Sequence, residues 1–370
     1  MKITFICGSL APGRDGVGDY TRRLAAELIR QGHQSSIIAL NDRMLKDVQI
    51  TSQETEGTQV KVLRLSAKLC SKKRFLEAKN FIEVMNPEWL SLQYVPFAFQ
   101  NKGLPFGLGR RLARIGKGRK WHIMFHELWV GMEDEATLKN KVWGRIQTLL
   151  ILNLVKSLNP FIHTQTKLYQ WQLGRFGLDV KYLPLFGNIP IIKRVSYKLN
   201  SKGDRLSIIF FGNIHYGAPI EEFCKDLKQY SMKENIKIKV DFIGKCSNEQ
   251  STWSSKLKAY GFVVCENGEM SENMISEYLQ NSHLGISTTP ILLAEKSGTI
   301  AAMREHSLPV LCVSRSWDIQ KFPKDRLPVG INIFHPGMIN DTILEQRNTV
   351  IANSLQKVCT DFLNTLILKN

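Results

Sequence analysis

The chain has 370 residues, of which 43% are hydrophobic and 22% are charged, and its formal net charge at pH 7 is +17. Single hydrophobic cores stop growing beyond about 250–300 residues, so this length predicts two domains. The composition is that of a globular protein and excludes a disordered one. The basic balance favours a polyanionic partner, such as nucleic acid, anionic lipid or a phosphorylated substrate.

The seven cysteines are scattered and form no C-x-x-C pair. This favours buried thiols in a reducing compartment over a disulfide framework or a zinc site. The opening stretch ITFIC is too short for a signal peptide. The most apolar later stretch, TLLILNLVKSL, is shorter than the roughly 20 residues that span a bilayer. We therefore expect a cytoplasmic protein, either soluble or peripheral on the inner face of the membrane.

Strands and helices alternate through the first half of the chain. Strands are predicted over KITFICG, SSIIAL, VKVLRL, EWLSLQY, WHIMFHEL and FIHTQT, and helices over GDYTRRLAAELIRQGH, KRFLEAKNFIEVM and KNKVWGRIQTLLILNLVKSL. In the first helix, Tyr20, Leu24 and Leu28 recur at four-residue spacing. This βαβ alternation predicts a mostly parallel, doubly wound sheet.

The alternation restarts after YLPLFGNIP, whose two prolines and glycine predict an inter-domain hinge. Strands are then predicted over LSIIFFG, IKVDFIG, FVVCENG, HLGIST and LPVLCVS, and helices over APIEEFCKDLKQYS, STWSSKLKAYG, SENMISEYLQNS and SGTIAAMREHS. The prediction is an α/β fold with two Rossmann-like, doubly wound domains facing across a cleft, residues 1–186 and 187–350. The last apolar helix, within 351–370, is expected to pack back on the first domain. Ligands of open α/β sheets bind at the carboxyl ends of the strands.

Two loops have features of phosphate sites. In GRDGVGDYTRRL, Gly16 and Gly18 flank Val17, so the backbone can turn tightly and leave amides uncovered at the positive end of a helix. A plain βα turn that needs glycine for its dihedral angles explains this loop equally well.

The second loop is AEKSGTIAAM. Here Lys296 supplies a charge, Ser297 can cap a helix, and Gly298 and Thr299 present amides at the helix N-terminus. Its alternative is an ordinary capped helix with a surface lysine.

WHIMFHELW places His126 and Glu127 at the carboxyl end of a predicted strand. A histidine there can bond a sugar hydroxyl or a developing charge, or it can be a structural histidine with satisfied hydrogen bonds. His122, inside the strand, fits the structural role better.

A basic run mixed with apolar residues extends from Lys102 to Lys120, and KLCSKKRF adds more positive charge. It suits a segment lying on anionic lipid. A solvated basic face and a nucleic-acid surface are the alternatives, but no nucleic-acid module is visible, so we expect a membrane surface and no nucleic acid. D-x-D, H-E-x-x-H and P-loop motifs do not occur, so neither a metal nor any other cofactor is expected.

Three stretches, GVGDYTRRLAAELIRQGH, FHELW and SGTIAAMREHSLPVL, resemble the GT-B glycosyltransferases, especially glycosyltransferase family 4 and its bacterial polysaccharide-building relatives. The resemblance extends over the chain in order. It implies a nucleotide-diphosphate sugar bound mainly to the second domain and a glycan or lipid-linked acceptor bound mainly to the first. It also implies metal-independent transfer that retains the anomeric configuration.

The resemblance assigns roles to individual residues. Gly16, Val17 and Gly18 would approach the donor diphosphate, and His126 would meet the transferred sugar. Lys296 to Thr299 would hold phosphate and sugar oxygens, and the loop CENGEMSE would lie near the nucleobase. For an inverting reaction, His126 or Asp19 would have to act as the base.

Two departures from the family pattern affect these roles. The acidic pair that often precedes its G-x-P-V motif falls here on Ala294 and Ala302, with Glu295 beside the first as a replacement. In FFGNIHYGAP, which begins Phe210–Gly212, Asn213 and Ala218 occupy the places of the usual Arg and Lys. Lys296, helped by His215, would then have to replace those cations.

Two other functions remain open from the sequence, and so does an inactive transferase, because the acidic pair of the family is missing. In a dinucleotide oxidoreductase, Asp42 at the end of the second strand would bind a ribose hydroxyl. The opening loop is, however, longer than a G-x-G-x-x-G turn and has Thr21 at the third glycine's place. A non-catalytic protein binding a membrane surface would explain the charge but neither loop.

Overall fold

The computed structural model describes residues 1–192, 205–345 and 354–367. The chain divides into two compact units. The first comprises Met1–Pro184, Asp318–Phe322 and the chain from Leu355, and the second comprises Leu185–Trp317 and the chain from Pro323. The first unit therefore includes two segments from late in the sequence, and the division falls at residue 184 where the sequence analysis placed it after residue 186.

An eight-stranded sheet in the order β3-β4-β2-β1-β5-β6-β7-β8 forms the first unit. Its strands are β1 (Lys2–Cys7), β2 (Gln34–Asp42), β3 (Gln49–Thr55), β4 (Thr58–Ser66), β5 (Trp89–Tyr94), β6 (Lys120–Phe125), β7 (Phe161–Thr164) and β8 (Lys181–Tyr182). All neighbouring pairs are parallel except β3 and β4, which form an antiparallel hairpin. The hairpin was not predicted, because QITSQET is polar and largely exposed.

The helices of the first unit are α1 (Gly16–Arg30), α2 (Ser71–Met85), α3 (Pro96–Phe99), α4 (Leu108–Ile115), α5 (Leu138–Leu158) and α6 (Lys167–Gly174), together with α12 (Leu355–Ile367). Helix α12 buries a stripe of apolar side chains at three- and four-residue spacing. Phe362 from this stripe stacks on Phe5 of β1 with ring centroids 6.1 Å apart, and it lies 5.1 Å from the ring of His122. The late helix therefore completes the core of the first unit.

A six-stranded, all-parallel sheet in the order β11-β10-β9-β12-β13-β14 forms the second unit. Its strands are β9 (Arg205–Phe211), β10 (Lys237–Ile243), β11 (Val263–Gly268), β12 (Leu284–Ser287), β13 (Val310–Cys312) and β14 (Asn332–Ile333). Its helices are α7 (Ile220–Lys233), α8 (Glu249–Ala259), α9 (Glu272–Asn281), α10 (Gly298–Glu305) and α11 (Met338–Glu345). The predicted fold class, two doubly wound α/β units, is confirmed.

Each sheet has one point where the strand order changes direction. In the first unit it falls between β1 and β5, and in the second between β9 and β12. Loops that leave such a pair of strands diverge and open a crevice at the carboxyl ends, where open α/β sheets bind ligands. Within the described parts of the chain, no helix has the length and apolar character needed to cross a membrane.

Candidate functional site

The crevice of the second unit begins at Gly212, directly after β9. Gly212 has φ +82°, and a Cβ atom placed there would lie only 2.7 Å from Cγ2 of Thr299. Only glycine fits both the left-handed conformation and this close approach. The loop after β9 is therefore in contact with the first turn of α10, and two stretches that the sequence singled out separately meet here.

His215 connects this loop to Thr288, the residue directly after the neighbouring strand β12. Its backbone N donates to Oγ1 of Thr288 over 2.8 Å, and its Nδ1 lies 3.3 Å from the same oxygen. Burial lowers the pKa of His215, and the charges of Lys296 and Arg315 lower it further. The imidazole is therefore held neutral beside two cations, at the point where β9 and β12 diverge.

Sequence reasoning missed Arg315. The residue follows β13 in the stretch CVSRS, and its aliphatic Cδ lies 3.3 Å from a Cβ atom placed on Gly217. The signal was its position directly beyond a strand that neighbours β12, because residues just past the carboxyl ends of adjacent parallel strands lie close together. Arg315 supplies a second cation beside Lys296.

The first turn of α10 lies beside the loop after β9, where Thr299 approaches Gly212. Ser297 is the N-cap residue, and its Oγ accepts from the backbone N of Ile300 over 3.4 Å and lies 3.0 Å from Oγ1 of Thr299. Gly298 packs beside the side chain of Asn188, whose Oδ1 would be 3.7 Å from an added Cβ. The positive end of the helix and the two cations are features that suit an anion, and we name this candidate site the anion cradle, defined by Gly212, His215, Lys296, Ser297, Gly298, Thr299 and Arg315.

The other two predicted residues of this unit have less specific positions. Asn213 is exposed in the loop between Gly212 and His215. Glu295 is half-buried in the short 3-10 turn Ile291–Lys296, directly before Lys296.

In the first unit, the loop before α1 differs from the prediction of uncovered amides. Asp15 is the N-cap residue of α1, and its Oδ1 accepts from the backbone N of Val17 over 3.0 Å and of Gly18 over 3.1 Å. Burial raises the pKa of Asp15, which these two amides partly offset. The expectation of uncovered amides is wrong for Val17 and Gly18, because a carboxylate of the same loop accepts a hydrogen bond from each of them.

Gly18 has a packing reason of its own. A Cβ atom there would lie 2.8 Å from the carbonyl oxygen of Ser9, so the loop and α1 could not keep their present contact. Asp19 anchors the same loop, because its Oδ1 accepts from the backbone N of Gly13 over 3.2 Å and pairs with Arg22 at 2.9 Å.

His126 is buried directly after β6, with both ring nitrogens bonded to glutamine side chains. Nε2 lies 2.9 Å from Oε1 of Gln93 and Nδ1 lies 3.1 Å from Oε1 of Gln165. The ring of Tyr20, from α1, meets the imidazole edge-on at 5.0 Å. These contacts fix the orientation of the ring at the carboxyl edge of the first sheet.

A chain of buried hydrogen bonds continues from there into the core. Gln93 donates to Ser91, Ser91 Oγ lies 2.8 Å from Nδ1 of His122, and Nε2 of His122 lies 3.0 Å from Nδ1 of His163. Nε2 of His163 is 3.4 Å from Oγ1 of Thr365 in α12. Burial lowers the pKa of His122 far below its ordinary value and that of His163 to about 3. His122 is therefore a structural histidine.

Asp42, the residue that a dinucleotide enzyme would need for ribose, is fully buried. Its Oδ2 pairs with Arg64 at 2.8 Å, and the backbone N of Leu10 and of Met44 donate to its carboxylate. All of these partners belong to the loop and sheet around it. Asp42 has a structural role here, which argues against the oxidoreductase reading.

An open cavity of about 490 Å³ lies in the first unit beyond His126. The loop from Trp129 to Asp134 forms one wall, Arg145 and Thr148 of α5 form another, and Gln320 contributes from the late segment. That segment is fastened by Asp134, whose N donates to the carbonyl of Asp318 and whose Oδ1 accepts from the N of Gln320 over 2.9 Å. An aromatic ring, carboxylates and cations around one cavity suit a polar ligand such as a saccharide.

No group of three or more His, Cys, Asp or Glu side chains in the described ranges is arranged to hold a metal ion. Divalent ions in proteins are held by such groups of oxygen, nitrogen or sulfur ligands.

Two Rossmann-like units are the architecture of the GT-B fold, and the solved structures that are similar to this chain share it. The chain is similar to a glycosyltransferase from Rickettsia africae, at 15% identity over 100% of this chain and 99% of the other, with a TM-score of 0.60. It is similar to HepE from Anabaena in complex with UDP-glucose, at 14% identity over 100% and 98% of the two chains, with a TM-score of 0.56.

A third similar structure, UDP-GlcNAc 2-epimerase from Neisseria meningitidis bound to UDP-GlcNAc, is 9% identical over 100% of both chains, with a TM-score of 0.55. No family model matches the chain, and no curated protein matches it in sequence. At these identities the similarity establishes the fold.

Proposed function

We propose that this protein is a glycosyltransferase that moves a sugar from a nucleotide-diphosphate sugar to a glycan or lipid-linked acceptor. The observation that carries the proposal is the anion cradle of the second unit. Lys296, Arg315 and the N-terminus of α10 converge at the switch point between β9 and β12. The similar structures that hold UDP-glucose and UDP-GlcNAc support a sugar nucleotide as the ligand.

Transfer of a glycosyl group leaves a diphosphate with developing negative charge. Preorganised cations and helix N-termini stabilise such charge without having to reorganise during the reaction. The usual Arg and Lys of the loop after the first strand are replaced here by Asn213 and Ala218. Lys296 and Arg315 would stabilise the charge of the diphosphate in their place, with the neutral His215 as a hydrogen-bonding neighbour.

A retaining, metal-independent reaction agrees with the surroundings of the predicted bases. Both ring nitrogens of His126 are bonded to glutamines, and Asp19 is paired with Arg22. In a retaining transfer the leaving phosphate can accept the proton of the acceptor hydroxyl, so neither residue has to act as a base. His126 would instead meet the transferred sugar as a polar group whose ring is held in one orientation by Gln93 and Gln165.

The acceptor would bind the first unit, and the open cavity next to Trp129 offers a saccharide site there. The surrounding surface suggests where a lipid-linked acceptor would come from. Helices α4 and α5 pack against each other, and Phe106 beside them is 61% exposed while Leu149 of α5 is 67% exposed. Arg110 and Arg114 of α4 are exposed as well. Exposed apolar side chains among cations are what an anionic membrane surface binds.

The first experiment is calorimetric titration with UDP, GDP, ADP and CMP, with NAD as the contrast. Lys296→Ala should weaken binding of the preferred nucleotide at least tenfold, because it removes one of two cations in the cradle. Lys237→Ala is the matched control, since Lys237 is exposed at the amino end of β10, the opposite edge of the sheet. Equal affinities for the two variants would contradict the cradle.

The second experiment distinguishes transfer from other chemistry on the same ligand. Incubation with the preferred sugar nucleotide and candidate acceptors should release nucleoside diphosphate and extend the acceptor. An epimerised sugar nucleotide without an acceptor product would indicate an epimerase, and binding of NAD alone would indicate an oxidoreductase. We expect activity to survive EDTA; loss that magnesium restores would contradict metal independence.

The membrane surface is tested by sedimentation with liposomes. The protein should sediment with anionic vesicles and be released at high salt, because exposed charges are screened beyond about 10 Å at 0.1 M salt. The double variant Arg110→Gln/Arg114→Gln should bind more weakly. Equal sedimentation with neutral vesicles would refute an electrostatic surface and leave the charge to another partner.

A further inference from the structure

The first unit contains a second cationic cluster, away from the cradle, around the N-terminus of α2. Its centre is a pair of arginines, Arg74 of α2 and Arg111 of α4. Nη1 of Arg111 donates to Oγ of Ser71 over 3.2 Å, and its guanidinium lies 5.3 Å from the ring centroid of Phe75. Arg111 therefore reaches the residues on either side of Arg74.

Neutral oxygens hold both guanidinium groups in place. Nη1 of Arg74 donates to the carbonyl of Leu40 over 2.9 Å and to Oδ1 of Asn41 over 2.7 Å. Arg111 also donates to the carbonyl of Phe106. The Nε atoms of both arginines are buried and have no hydrogen-bond partner. Each group is thus held in place by neutral atoms of the fold.

Nothing in residues 1–192, 205–345 and 354–367 neutralises the pair, because neither arginine forms an ion pair with a carboxylate there. Burial and the charge of Arg111 lower the pKa of Arg74, which reflects the cost of holding like charges together. Lys72 and Lys73 add two exposed cations next to the pair. Arginine forks match the geometry of phosphate, so a bound phosphate would offset this repulsion.

The N-terminus of α2 also favours a bound anion. The first turn of α2 reads Ser-Lys-Lys-Arg and holds no acidic residue, although acids are the residues that a helix N-terminus favours. Its N-cap, Cys70, makes no side-chain bond to the first amides. The residues that usually satisfy a helix N-terminus are therefore absent from this turn.

We infer that Arg74 and Arg111, with Lys72 and Lys73 beside them, form a phosphate-binding site that recognises a phosphorylated acceptor. Helix α2 follows β4, and Asn41 is the second-last residue of β2, so the site lies at the carboxyl edge of the first sheet, the edge that also carries His126. Its assignment to the acceptor rests on the proposed function, but phosphate binding itself does not. The ligand is a phosphate ester, carried either by a soluble saccharide or by a lipid headgroup.

The test uses full-length Lys296→Ala protein, so that the cradle of the second unit binds the probe more weakly. Titration with pyrophosphate should show binding, and adding Arg74→Gln and Arg111→Gln should weaken it at least tenfold. Adding Arg110→Gln and Arg114→Gln instead is the matched control, which removes the same charge from exposed positions and should leave the affinity unchanged. No binding by Lys296→Ala, or equal binding by the two combinations, overturns the site.

Two further measurements keep the result interpretable. Arg111→Gln alone leaves the hydrogen bonds of Arg74 to Leu40 and Asn41 in place, so a loss of pyrophosphate affinity there cannot be attributed to unfolding through Arg74. The Arg74→Gln/Arg111→Gln variant in the Lys296 wild-type background should bind UDP normally, which separates failure of this site from failure of the proposed function. Loss of UDP binding in that variant would contradict an independent site.

The source of the phosphate is identified with two probes, glucose 6-phosphate and vesicles that contain phosphatidic acid. The site is supported if the Lys296→Ala protein binds one of these probes more tightly than its Arg74→Gln/Arg111→Gln derivative does. The probe that shows this difference identifies the phosphate as part of a soluble molecule or of a lipid. Equal binding of both probes by the two proteins overturns it.

Discussion

Replacing Gly212 with alanine tests the contact that joins the two halves of the cradle. Alanine at φ +82° costs about 1–2 kcal/mol because its Cβ crowds the following carbonyl oxygen. The new Cβ would also lie 2.7 Å from Cγ2 of Thr299, so that side chain would have to shift by about 0.7 Å to reach the 3.4 Å of ordinary contact. Such a shift strains the bond between Ser297 and Thr299, which is worth about 0.5–1.5 kcal/mol. The total loss is about 1.5–3.5 kcal/mol.

Gly261→Ala is the matched control for this substitution. Gly261 has φ +86° and lies in the turn before β11, and its nearest neighbour, Nζ of Lys228, is 3.8 Å from an added Cβ. It carries the same backbone cost without the clash. Native-state hydrogen exchange of peptides over β9 and β12 should show the larger loss for Gly212→Ala, and calorimetry should show weaker UDP binding for that variant alone. Equal stability losses and equal UDP affinities would refute the role assigned to the contact.

Three other substitutions test the first unit. The unfolded chain binds protons at His122 and His163 below about pH 6.5, whereas burial lowers both folded pKa values, so stability is full above that pH and falls as the pH is lowered. Each histidine should contribute about 2 kcal/mol less to the free energy of unfolding at pH 5 than at pH 7.5. In hydrogen exchange, His163→Gln should therefore reduce the dependence of this free energy on pH. Asp42→Asn should cost about 3–5 kcal/mol by leaving Arg64 without its buried partner; a loss under 1 kcal/mol in urea unfolding would contradict it. Phe362→Ala should cost about 3–5 kcal/mol and loosen exchange protection in β1, and unchanged protection would show that α12 is not part of that core.

Much of the fold could be predicted because its strands are buried on both faces. Stretches such as KITFIC and WHIMF are continuous apolar runs, and the helices between them carry a 3.6-residue stripe, so the βαβ pattern is visible in the sequence. The β3–β4 hairpin lies at the edge of its sheet with β3 largely exposed, so its sequence has no such signal. Helix α4 was not predicted, because three arginines dominate its composition. Its buried face consists mainly of Leu108 and Leu112.

The candidate site could be predicted only where local sequence determines the chemistry. The cap by Ser297 and the helix after it follow from short-range rules, and the structure has both. The cap by Asp15 follows from the same rules, but in the sequence analysis the amides of Gly16 to Gly18 were assigned to a bound phosphate instead. Arg315 comes close to Lys296 only through the order of strands in the sheet, which no local pattern encodes. The pairing of Arg74 with Arg111 depends on how α4 packs against α2.

Helix α12 has a consequence for how the protein is made. A ribosome completes β1 long before it reaches Leu355, yet Phe5 of that strand has Phe362 as a stacking partner. The second unit is translated after the main part of the first unit and before α12. Until α12 is made, the apolar surface against which it packs is exposed. The nascent first unit must therefore wait in an incomplete state, which is the stage at which exposed apolar surface recruits chaperones or aggregates. Shortening the chain before α12 would make that temporary state permanent.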